Sequence, residues 1–272
     1  YARNTNTNTS SGTGTYAGIK TIIESQDMAQ SGWEYTSTSS TVTIQFWARS
    51  SVAGTYYMNL RSDDTTAKNF TIPVALTADT WKKITATVIG NSGLVFNNDN
   101  GAGLSMIMWM HLGTDYTTSG HTTNAWQTNS GSDQAPDYSI DWRNTSAATF
   151  DLTGIQLEVG SQATPFEHRS FGEELALCYR YFQYHVSTST AARYYADQYS
   201  SGTLVLDKHH SPMRAVATGT VIGTWTISNI TGQPSLYVGT EHSHYLARPV
   251  SSTGRAYFYA GQNDGVSLDA EL

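Results

Sequence analysis

The side chains best placed to do chemistry in this chain are aromatic. An indole or phenol ring offers an apolar face on which the C–H side of a sugar stacks, while nearby Asn, Asp, Gln and Arg groups fix the hydroxyls. With 7 Trp and 17 Tyr in 272 residues, each candidate has to be weighed singly. Trp47 alternates with apolar neighbours in TVTIQFWAR, Trp81 opens a strand after a turn, and Trp109 sits in the apolar run LSMIMWMHL; these three are expected in the core. Trp142 is expected to be packed near the end of its domain. Trp126 differs. It lies in the polar stretch GTDYTTSGHTTNAWQTNSGSDQAPD, residues 113–137, beside Asn124 and Gln127. No apolar periodicity accounts for it, and loops of that length in compact domains are usually functional or disordered. Trp33 and Tyr35, after the Ser31-Gly32 turn, form the second candidate. The expected ligand set is therefore Trp126, Trp33, Tyr35, Asn124 and Gln127. The competing reading is that a lone loop Trp plugs its own loop against the core.

Other chemistries are weaker. His242 and His244 are two apart, which puts both imidazoles on one face of a strand. One chain then supplies two ligands, and a three-fold axis would gather six around one transition metal; two solvent-facing histidines is the plainer reading. Asp63, Asp64, Asp99 and Asp151 are available to a structural Ca²⁺, but without EF-hand spacing, and turn carboxylates commonly form turns. No GxSxG, HExxH or phosphate-loop motif occurs. A glycosidase needs two facing carboxylates, and the 22 acidic residues fall mainly in turns such as SDDT, NNDN and QNDG. Catalysis is therefore not expected. Cys178 is the one cysteine, so no internal disulfide forms, and its apolar neighbours Leu175 and Leu177 predict a buried thiol.

Composition narrows the class. Charged residues make up 14%, against about 25% in ordinary domains, so Ser, Thr, Asn, Gln, Gly and Tyr must cover the surface, as on extracellular β proteins and paratopes. An aromatic content of 12% argues against disorder. The net charge of −7, with no basic stripe, argues against nucleic acid as a partner, and no run approaches the ~18 apolar residues of a membrane helix. Tyr1 in place of Met predicts a processed chain or part of a longer one.

The elements are strands. Residues 18–24, 41–49, 56–61, 70–76, 81–89, 104–112, 138–142 and 149–159 read as β, with Pro73 marking an edge. No helix is expected among them, which predicts an antiparallel sandwich of jelly-roll type over residues 1–162. In 149–159, Phe150 and Leu152 fall on one parity and Ile155, Leu157 and Val159 on the other. Residues 163–181 read as a linker with a short helix, whose Glu173 and Glu174 lie at its start and Arg180 at its end. Short strands over 182–272 predict a second, smaller sandwich.

The stretch TGIQLEVGSQATPFEHRS, followed by GEELALCYRYF, resembles the domain junction of tail-fibre and related structural proteins of tailed bacteriophages, especially marine ones. The resemblance covers some thirty residues, and more loosely FWARSSVAGTYYMNLRS, TADTWKKITATV, SPMRA and LDAEL. It implies a carbohydrate-binding-like jelly roll joined to a knob in a homotrimer. It also implies a place in the extracellular virion, tail proteins upstream of Tyr1, and attachment to a host surface glycan or lipopolysaccharide without catalysis. Two alternatives stay open: a purely structural fibre segment, and a polysaccharide-degrading tailspike.

Overall fold

The computed structural model describes residues 1–186, 192–194, 197–200, 203–228, 230–249, 257–260 and 264–270. The chain divides into two compact units, Tyr1–Glu167 and His168–Leu272, a division that falls inside the 163–181 stretch.

The first unit is an antiparallel sandwich. Its strands are β1 (Ala2–Thr5), β2 (Tyr16–Glu24), β3 (Thr41–Ser50), β4 (Gly54–Ser62), β5 (Lys68–Leu76), β6 (Lys82–Ile89), β7 (Ala102–Leu112), β8 (Trp126–Thr128) and β9 (Thr149–Val159). One sheet runs β1-β9-β3-β6 and the other β2-β7-β4-β5-β8. Alternation supplies the core between them. Val42, Ile44, Phe46 and Ala48 of β3 join Ile84 and Val88 of β6, and face Tyr56, Met58 and Leu60 of β4, Phe70, Ile72 and Val74 of β5, and Met106, Met108 and Met110 of β7. All are buried, and each large apolar side chain so placed contributes about 1.5–3 kcal/mol of transfer free energy. Pro73 pairs with Tyr57 and is exposed on β5, beyond the three residues that β8 covers. It brings no N–H to that open edge.

The two parities of β9 are reconciled by a bulge. Gln45 pairs with Gln156 and Trp47 with Thr153, so one residue of β3 faces two of β9. Gly154 sits there at φ +60°, a left-handed conformation that glycine adopts without steric cost. The bulge lets Phe150 and Leu152 before it, and Ile155 and Leu157 after it, all meet the same core.

Four expectations are corrected. The sandwich contains a helix, α1 (Ser25–Gln30), which seats Met28 in the core. Residues 138–142 form no strand: Ile140 and Trp142 plug the core while Tyr138 donates its hydroxyl to the Trp109 carbonyl at 2.8 Å, so the alternation there reflects loop anchors. Trp47 and Trp81 are 43% and 38% exposed, because Trp47 lies on the face of β3 opposite Phe46. Cys178 is exposed, because the helix that carries it, α2 (Phe171–Cys178), buries none of its residues.

In the second unit α2 starts with a capping box. The Ser170 hydroxyl accepts from the Glu173 amide, and the Glu173 carboxylate accepts from the Ser170 amide at 2.9 Å. One three-stranded sheet holds Phe182–Val186, Gly265–Asp269 and Thr218–Ile222. A second holds Ala192–Tyr194, Tyr257–Ala260 and Thr226–Ser228. The third, four-stranded, holds Asp197–Ser200, Thr203–His209, His242–Pro249 and Ile230–Val238. Met213, Ala217, Leu268 and Ala270 form a small core. Among the described residues no helix is long and apolar enough to cross a membrane.

Candidate functional site

The polar segment after β7 is fastened to the outer face of the five-stranded sheet. Strand alternation sends Asn59, Asn69 and Thr71 outward, yet each is fully buried, because the segment lies over them and uses the polar groups of Asn59 and Thr71. The Asn59 amide donates to the Gln134 carbonyl at 2.8 Å, and the Thr71 hydroxyl donates to Asn59 at 3.1 Å. His121 bridges the Thr71 hydroxyl (2.7 Å from Nε2) and Asp133 (2.6 Å from Nδ1), with the Gln127 amide 2.9 Å from Nδ1. Thr71, His121 and Asp133 have the chemical order of nucleophile, base and orienting acid. Thr71 is 0% exposed, however, so no reacting carbonyl can reach it. The trio is a fastening.

The residues expected to bind ligand now have places. Trp33 is 3% exposed in the core, edge-on to Tyr35 and tilted against Phe96; it offers no face to a ligand, because the turn after α1 folds the indole inward. Tyr35 is half-buried against Phe96. Trp126 opens β8, packs on Phe70 with ring centroids 5.4 Å apart, and donates its indole N–H to the Ile89 carbonyl at 2.7 Å. Asn124 is exposed at φ +57°, and its amide donates to the Thr71 carbonyl. Trp126, Asn124 and Gln127 thus come together on the fastened segment, while Trp33 and Tyr35 lie elsewhere. His242 and His244 stand in Tyr237's sheet, opposite His209 and Asp207 respectively; their side chains lie outside what is described. Among the described residues no group of three or more His, Cys, Asp or Glu is arranged to hold a metal ion. Asp63 pairs with Arg61 and Ser105, Asp64 accepts from Ser25 and Asn97, Asp99 accepts from the Gly101 amide, and Asp151 takes Arg3 and Arg49.

Beside the fastened segment the same outer face opens into a cavity of about 480 Å³, within the range of small-ligand sites. The pairing Gly18–Trp109–Tyr57 and Lys20–Ile107–Asn59 across β2, β7 and β4 sets its floor. Trp109 lies over Gly18 so closely that a Cβ there would sit 2.8 Å from the ring; the missing side chain is what lets the indole lie down. Tyr16, 63% exposed, meets Trp109 edge-on at 6.1 Å and Tyr116 at 5.5 Å, which makes a three-ring wall. The Tyr116 hydroxyl is tied to the Gly14 carbonyl at 3.1 Å. Lys20, Arg61, Asn129 and Gln134 supply the polar lining. Gln134 is held by the Asn129 side chain at 3.0 Å and by the Ser130 carbonyl. The lining contains no carboxylate.

None of these lining residues was in the expected set. The signal was present: in LSMIMWMHL the methionines occupy every second position, so a period of two that buries them turns Ile107, Trp109 and His111 to the other face. The apolar run as a whole masked that parity.

No protein-family profile and no curated protein sequence matches the chain. Two solved structures are similar to it. One, described as "CBM4 structure and function", is 11% identical with a TM-score of 0.29, over 57% of this chain and 80% of its own. The other, described as "Family 16 Carbohydrate Binding Module-2", is 12% identical with a TM-score of 0.26, over 53% and 70%. Both scores are low, and the architecture stands on its own strand pairing and core.

Proposed function

We propose that this chain binds a glycan without cleaving it, as an attachment segment of a bacteriophage tail fibre. The observation that carries the binding part is the cavity on the five-stranded sheet. Three aromatic rings, Trp109, Tyr16 and Tyr116, share its lining with the amides of Asn129 and Gln134 and the cationic groups of Lys20 and Arg61. That is the combination a sugar needs: an apolar face to stack on and placed donors for its hydroxyls. The absence of a carboxylate from the lining argues for holding over hydrolysis, since glycoside cleavage uses two. The phage and virion part of the reading rests on the junction resemblance in residues 153–182. Homotrimer assembly on a host surface fits weak sugar sites, which gain avidity from repetition.

The test is an array of bacterial surface glycans probed with the purified chain. The expected result is retention of particular glycans by wild type and at least tenfold weaker retention by Trp109→Ala with unchanged circular dichroism. Absence of binding to every glycan, by a well-folded chain, would instead favour a structural fibre segment. Reducing ends released from a bound polysaccharide would favour a tailspike enzyme.

A further inference from the structure

We infer that the cavity is selective for acidic sugars, with Lys20 and Arg61 receiving the anionic group while Trp109 takes the ring. This inference rests on the glycan-binding reading of the same site. It is carried by how the charges are distributed. The chain has 15 Lys and Arg against 22 Asp and Glu, yet the two charged residues that line the cavity are both cations. Cations elsewhere in the first unit have partners, except Lys83, which lies on the other sheet and acts on Glu158 by its charge alone. Arg3 and Arg49 share Asp151 at 2.7 and 3.2 Å, the Lys82 ammonium donates to the Ala75 carbonyl, that of Lys68 to the Thr128 hydroxyl, and the Arg143 guanidinium to Asn6 and Asn8. Lys20 has no hydrogen-bond or ion-pair partner among the described residues and is exposed beside the indole.

Arg61 is oriented. Its Nε donates to Asp63 at 2.7 Å, and Asp63 in turn takes the Ser105 hydroxyl. The carboxylate therefore holds the guanidinium from the Nε side, Arg61 lines the cavity, and its terminal nitrogens, which have no partner among the described residues, are the groups through which arginine receives a carboxylate. The pairing register places Lys20 and Arg61 on β2 and β4, on either side of β7 and on the face that carries Trp109. An anionic substituent on a sugar stacked on Trp109 lies between them. A neutral sugar would leave the Lys20 ammonium partly desolvated beside it with no counter-charge, and Arg61 with Asp63 alone, which is a cost against that ligand. The acidic class meant here is carboxylated sugars: uronic acids, and nine- or eight-carbon sugar acids.

The experiment compares oligomers of galacturonate, of mannuronate with guluronate, and of sialic acid, each beside its carboxyl-reduced neutral counterpart. Affinities are measured by calorimetry for wild type, Lys20→Gln, Arg61→Gln, Trp109→Ala and, as a control, Lys68→Gln. Near-ultraviolet circular dichroism checks each fold. The expected result is that wild type and Lys68→Gln bind at least one acidic oligomer about tenfold or more tighter than its neutral counterpart. Lys20→Gln, whose exposed side chain leaves the fold untouched, should erase most of that preference, and Trp109→Ala should weaken both forms. Equal wild-type affinity for acidic and neutral members, still sensitive to Trp109→Ala, overturns the acidic selectivity and leaves glycan binding standing. An acidic preference that survives both Lys20→Gln and Arg61→Gln overturns the assignment to this cavity. Failure to bind any member, acidic or neutral, overturns the selectivity and the glycan reading together.

Discussion

Tyr56 shows how much one side chain can organise. It is fully buried in β4, and its hydroxyl reaches both the Val52 carbonyl and the Ser50 hydroxyl at 2.7 Å, closing the β3–β4 turn from inside. Burial pushes its phenol up to about 12, against the smaller opposing effect of Ser50; burial likewise holds the Tyr138 phenol well above its ordinary value. The fold thus favours the protonated phenols. Stability is fully present below the unfolded value of about 10 and is lost as pH rises from there toward 12, because the unfolded chain releases these protons first. Denaturant midpoints between pH 9 and 12 should fall less steeply for Tyr56→Phe than for wild type, and Tyr56→Phe should lose about 1–3 kcal/mol at pH 7 by orphaning its two partners. Acid acts on other groups. Asp151, 1% exposed, is held below its ordinary value first by the Arg3 hydrogen bond and then, against burial, by the charges of Arg3 and Arg49. His111 is lowered by burial, then by Arg143, with Asp141 opposing. Both contribute stability that is present above their unfolded values and lost as pH falls. At this scale the sequence was a poor guide to aromatic residues. Trp33, in a polar setting, proved to be core, and Trp47, in an apolar one, proved exposed. Which side of a sheet a ring takes depends on register and bulges that local context does not contain.

The elements were more legible, because alternation is a local property of the chain. The strands around residues 41–49, 70–76, 81–89 and 149–159 follow from it directly, and the one at 104–112 from the length of its apolar run between Gly103 and Gly113. The helix after β2 was hidden by its length of six residues, and the bulge at Gly154 by the need to know its partner strand. The bulge also explains the junction's composition. Gln156 accepts from the Glu167 amide at 2.8 Å, Glu158 accepts from the amide and hydroxyl of Thr164 at 2.8 and 2.6 Å, and the Gln45 amide donates to the Thr164 carbonyl at 2.6 Å. The residues that carry the resemblance are therefore a latch folding the 160–167 stretch onto β3 and β9. Gly154→Ala should cost about 1–2 kcal/mol from its left-handed φ, since the added methyl would meet Trp47 at an ordinary 3.5 Å; thermal melts measure it. The fastened segment makes a second test. His121→Ala removes the bridge between Thr71 and Asp133, so amide hydrogens of residues 114–135 should exchange faster while those of β3 and β7 keep their protection. Unchanged exchange in 114–135 would mean that Trp126 and Gln134 hold the segment alone.

At the scale of the whole molecule, each unit carries its own core, and among the described residues that of the second is the smaller. Phe171 is 82% exposed, Val216 67%, Tyr237 58% and Tyr184 55%, and Phe182 stacks on Tyr184 at 6.5 Å. In the proposed homotrimer these side chains would be covered; sedimentation should then give about three times the 29.7 kDa chain mass, and Phe171→Ser with Tyr184→Ser should shift the distribution toward monomer. A monomer at all concentrations would contradict it. The low charge and polar, aromatic composition led from the sequence to the expectation of a binding surface, which the proposed function puts at the cavity. The location of that surface was not legible, because the cavity is assembled from β2, β4, β7 and the segment fastened over them, and no contiguous stretch contains it. Where a glycan lands is therefore the most direct test of the account. The measurement is two-dimensional NMR of the indole N–H resonances, assigned by single Trp replacements, during titration with a glycan retained on the array. The account predicts a saturable shift of the Trp109 resonance, with Trp47 and Trp81 on the opposite sheet unmoved. Shifts confined to Trp47 and Trp81, or to Trp126 with Trp109 silent, would contradict it.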